Sequence, residues 1–148
     1  MSLESERDTA GDERVYRLLG VAVAVGFPIA FGGVGWAALD SLVYGVAAGL
    51  LTGVGGYLFL PWFVRLSASA EGGDDQPSLV ELIADAPGDP GVRFLGFGLD
   101  AGGIVVLAVG FATDEPNLLL GVGSGVVFAL AVYLVASVAF AQFDSTAA

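Results

Sequence analysis

The chain has no cysteine and no histidine, and all five of its basic residues are arginine, so it has no lysine either. Without cysteine there is no disulfide, no thiolate metal site and no cysteine nucleophile. Without histidine the commonest ligand of zinc, copper and haem iron is missing, as is the usual general base. Without lysine no Schiff base to retinal or another carbonyl compound can form. These absences exclude redox carriers, rhodopsin-type pumps and hydrolases built on a serine–histidine or serine–lysine pair. Charge is scarce as well, at 14% of residues, where a soluble domain carries about 25%. The charge that remains is acidic, with a formal net of −11. No basic patch exists to neutralise phosphates, so nucleic acid is not an expected partner.

What the chain has in quantity is apolar length. Apolar residues make up 55% of it and the mean hydropathy is +0.80. They gather into the stretches Leu18–Ala38, Leu42–Val64, Phe94–Ala112 and Leu118–Phe140. Each is about 20 residues long, enough at ~1.5 Å rise per residue to cross a ~30 Å hydrocarbon core as a helix. The expectation is an all-α membrane protein: a four-transmembrane-helix bundle made of two tandem helical hairpins, with membrane lipid as its surroundings.

The arginines set the orientation. Arg7, Arg14 and Arg17 precede the first stretch, Arg65 ends the second and Arg93 opens the third. Four crossings put all of them on one side, leaving only Asp40, Asp114 and Glu115 on the other. The positive-inside rule then places both termini in the cytoplasm and the protein in the cell membrane. The rival reading of stretch one as a cleaved signal peptide is weak, because the run exceeds a signal core of about 7–15 residues and its leader is acidic.

Residues 1–15 read as a disordered acidic tail, 16–66 as the first hairpin, 67–91 as a cytoplasmic loop, 92–143 as the second hairpin and 144–148 as a short tail. Within the loop, Ser78 and Glu81 form a capping box, and Leu79, Leu82, Ile83 and Ala86 share one helical face. A short amphipathic helix over 78–86 is expected, stopped by Pro87-Gly88. Glu71, Asp74 and Asp75 lack the ligand spacing of a calcium loop and read as solvated charges. No metal or cofactor is expected.

Shifting the chain by 76 residues superposes the first helix pair on the second without gaps. Arg17, Leu19 and Gly20 then fall on Arg93, Leu95 and Gly96, and Gly45, Val46, Gly49, Tyr57 and Leu58 fall on Gly121, Val122, Gly125, Tyr133 and Leu134. Two crossings per unit leave both units in one orientation, which implies a pseudo-twofold axis along the membrane normal. Gly45, Gly49 and Gly53 follow at four-residue steps, and Gly121, Gly125 and Ala129 repeat the row. Such rows of small residues let helices approach closely in lipid, where no hydrophobic force drives association. These six residues are expected to pack helices, within the chain or between copies.

Asp100 is the one ionisable residue well inside a predicted span. Its carboxylate must find a partner, face the bundle or stay protonated. Arg93, two turns earlier on the same face, and the hydroxyls of Thr52 and Ser124 are the candidate partners; the alternative is that Asp100 is a proton or cation site. The string Gly96-Phe-Gly-Leu-Asp100 differs from the Gly-x-Gly-Asp of intramembrane aspartyl proteases by one residue, and no second membrane aspartate exists to share the proton. Pro28 is expected to kink or loosen the first helix, and Tyr16, Trp36, Trp62, Phe63 and Phe111 to anchor span ends at the interface.

The absence of lysine beside 16 acids, with alanine, valine, glycine and aspartate abundant, resembles the proteins of extremely halophilic archaea. The resemblance is one of composition, without a family motif, and implies a host in concentrated salt, where an acidic surface is screened. No catalytic constellation is present, so an enzyme is not expected. The reading is a small structural or accessory membrane protein, associating with another membrane protein or with itself; the alternative is a small transporter or channel using Asp100.

Overall fold

The structure, a computed structural model, describes residues 3–70 and 90–147. Those residues form four helices and no strand: α1 (Leu3–Leu39), α2 (Leu42–Ala70), α3 (Pro90–Ala112) and α4 (Leu118–Ala147). Each contains a segment long and apolar enough to cross a membrane: Arg17–Leu39, Leu42–Leu60, Gly91–Ala112 and Leu118–Ala139. All four segments keep large apolar side chains exposed, among them Ile29, Leu119, Leu134 and Val135. That surface belongs in lipid, and the protein is placed in a membrane on this basis.

Several boundaries differ from the expectation. Residues 3–15, expected as a disordered tail, continue α1. The tail has no proline, acidic groups near a helix N-terminus complement its dipole, and extending a helix already nucleated by the span needs no new nucleus. Ser67–Ala70, expected in the loop, extend α2, and residues 144–147, expected as a tail, extend α4. Pro90 opens α3, where its missing N–H costs nothing. The helix expected over 78–86 lies outside the described residues. Pro28 is accommodated within one continuous α1.

Packing follows chain order. α1 lies on α2, α2 on α3 and α3 on α4, whereas α1 with α3 and α2 with α4 touch only at their margins. The pairs run antiparallel: Gly35 of α1 meets Gly45 near one end, and Gly20 meets Tyr57 near the other. α2 and α3 are thus central and carry most of the buried side chains, Tyr44, Ala48, Thr52, Arg93 and Val106, with Ala129 joining from α4.

The two turns at the end opposite the arginines are short and capped. Asp40 takes a left-handed conformation, φ 52°, which aspartate tolerates better than most residues. Ser41 then accepts the Tyr44 N–H on its hydroxyl at 3.3 Å, capping α2. Asn117 does the same for α4, accepting the Leu120 N–H on Oδ1 at 3.0 Å. At the end of α3, the Thr113 hydroxyl donates back to the Val109 carbonyl at 3.0 Å.

Candidate functional site

Every expected packing residue lies at a contact inside the chain. A Cβ built on Gly49 would stand 2.6 Å from the carbonyl oxygen of Phe27 and from Cα of Pro28, and one on Gly53 would stand 2.8 Å from the Ala24 carbonyl oxygen. Gly45 lies against the Phe31 carbonyl and the Cα of Gly35. The first row therefore faces α1. The second faces α3: a Cβ on Gly125 would meet the Gly102 carbonyl oxygen at 2.6 Å, and Ala129, buried, covers Gly98. Gly121 sits under the Tyr44 hydroxyl, which reaches across from α2.

The α2–α3 seam was not foreseen as a whole. Gly96, Gly103 and Gly110 recur at seven-residue steps on α3 and are covered in turn by Leu58 and Gly55, by Ala48 and Thr52, and by Tyr44. The seven-residue step is the signal that could have found this face, since it repeats every two turns. The Tyr44 hydroxyl donates to the Val106 carbonyl oxygen at 2.8 Å, giving the buried phenol a partner.

Asp100 stands on the border of this seam. Its backbone N–H and Cα pack on Gly55, and its carbonyl oxygen accepts a long bond, 3.4 Å, from the buried Thr52 hydroxyl. Thr52, one of the three candidate partners of the carboxylate, bonds the main chain instead. Arg93 forms no ion pair with Asp100 either: the residue is buried, and its guanidinium carbon lies 5.7 Å from the centroid of the Trp62 ring. Cation–π contact with an indole holds a desolvated arginine well. The third candidate, Ser124, lies on α4, which packs on the opposite flank of α3. Among the described residues the carboxylate has no hydrogen bond and no ion pair.

Near the arginine end of the seam, Phe59 packs at tilted angles against Trp62, Phe63 and Phe97, 5.3–5.4 Å between centroids. Trp62, expected as an interfacial anchor, is half-buried in this cluster, and its Nε1–H has no partner among the described residues. Trp36, Phe63 and Phe111 are exposed. No group of acidic residues among those described is placed to hold a metal ion.

Comparison with family models, with curated proteins and with solved structures found no match.

Proposed function

We propose that this protein is a non-catalytic accessory component of the cell membrane, with both termini and residues 71–89 on the cytoplasmic side. The observation that carries the reading is the α2–α3 seam, where backbone and small side chains meet from Gly55–Gly96 through Ala48 and Thr52 on Gly103 to Tyr44 on Gly110. Helices packed this closely over that length are suited to holding a fixed shape rather than to alternating access.

Two tandem hairpins fit this role. Ser41 and Asn117, which cap α2 and α4, are 76 residues apart and occupy equivalent places in the repeat. Each hairpin packs its own small-residue row inward, which leaves the outer faces of α1 and α4 for lipid, another membrane protein or a second copy. A host in concentrated salt accounts for the acidic ends.

A transporter or channel is the second reading, favoured by the carboxylate of Asp100 standing unpaired in mid-span. Reconstituted vesicles with a pH-sensitive dye decide between the two. No proton or cation flux above that of empty vesicles is expected; a flux abolished by Asp100→Asn establishes the transporter instead.

A further inference from the structure

Resting on the accessory reading, we propose that Asp100 is the docking contact for a transmembrane helix of another protein, one carrying a lysine or arginine within its span. Asp100 is the tenth residue of the 22-residue span Gly91–Ala112. Counted from Arg93 it lies about 10 Å along the helix axis, beyond the reach of so short a side chain to the headgroups. The same flank of α3 carries Phe97 one turn before and Ile104 one turn after, 46% and 56% exposed. Residues at these spacings share a face, so the carboxylate stands where the seam opens to the outside of the chain.

The chain cannot supply the complement. It has no lysine and no histidine, and its other arginines, Arg7, Arg14, Arg17 and Arg65, lie at or beyond the ends of spans. Arg93 is held over Trp62, and Thr52 is spent on the main chain. A second copy brings the same deficit. Carboxylates inside membranes are costly alone and are stabilised by pairing, so charge complementarity selects a cationic helix of a different protein. The exposed Phe97 and Ile104 give that helix apolar surface on either side of the ion pair.

The test uses the full-length protein in lipid vesicles and synthetic single-span leucine/alanine peptides carrying a central Arg, or Leu in its place. Energy transfer between labelled protein and peptide reads association. The Arg peptide is expected to bind about tenfold more tightly than the Leu peptide. Asp100→Asn should erase the difference at unchanged helicity, and Asp100→Glu should keep part of it. Equal binding of the two peptides by the wild type overturns the proposal, as does a preference that survives Asp100→Asn. Association between copies of the protein that depends on Asp100 without any peptide also overturns it, by making a second copy the occupant. The assay contains no ion gradient, so its failure leaves the accessory reading standing; an observed flux is what tells against that reading.

Discussion

The Tyr44 hydroxyl spans the α2–α3 seam to the Val106 carbonyl oxygen at 2.8 Å while its ring covers Gly110 and its oxygen covers Gly121. One side chain from α2 thereby touches both α3 and α4. Tyr44→Phe removes the bond and keeps the ring, and should lower stability by about 0.6–1 kcal/mol. Unfolding in mixed micelles measures this; an unchanged midpoint would mean the bond contributes nothing.

Glycines in this chain fall into two groups with opposite expectations. Gly45→Ala and Gly49→Ala force a methyl against backbone of α1, and should each destabilise by about 1–3 kcal/mol. Gly26→Ala and Gly33→Ala meet nothing within 4 Å, and should be neutral or stabilising by up to about 1 kcal/mol, because alanine is the better helix former. Equal effects at all four positions would contradict the packing described for α1 and α2.

The contrast between those groups shows how far the sequence could be read. Span number, the rows through Gly45 and Gly121 and the place of Asp100 inside a span were legible, because apolar length and four-residue spacing are local signals. The partner of each row was not, because a row of small residues looks alike whether it faces a neighbour, a second copy or lipid. Thr52 and Arg93 were misassigned for a related reason. Spacing told which residues share a face with Asp100, but whether Thr52 would reach its carboxylate or its main chain depends on how closely Gly55 and Gly103 let α2 approach.

Asp40 holds its left-handed conformation, φ 52°, because the α1–α2 turn is only two residues long. Asp40→Gly should stabilise the turn modestly and Asp40→Val should destabilise it by about 1–2 kcal/mol. Thermal unfolding of the three proteins in one detergent checks the order; Val above Asp would exclude strain at this position.

With a net charge of −11 on so short a chain, mutual repulsion among the acidic ends should ease as salt rises. The unfolding temperature is expected to climb from dilute buffer into molar potassium chloride. A flat or falling curve would remove the case for a salt-rich host.

The closed α2–α3 seam is the centre of the account, and the lack of any native cysteine makes it directly testable. Single cysteines at Ala48, Thr52 and Val106 report water in the seam through a hydrophilic, membrane-impermeant thiol reagent, with Ser67, exposed near the end of α2, as the reactive control. In detergent-solubilised protein Ser67→Cys is expected to label fully, and the three seam positions to stay unlabelled until the protein is unfolded. Rapid labelling at Thr52→Cys in folded protein would reveal a water-filled path beside Asp100 and contradict the closed seam.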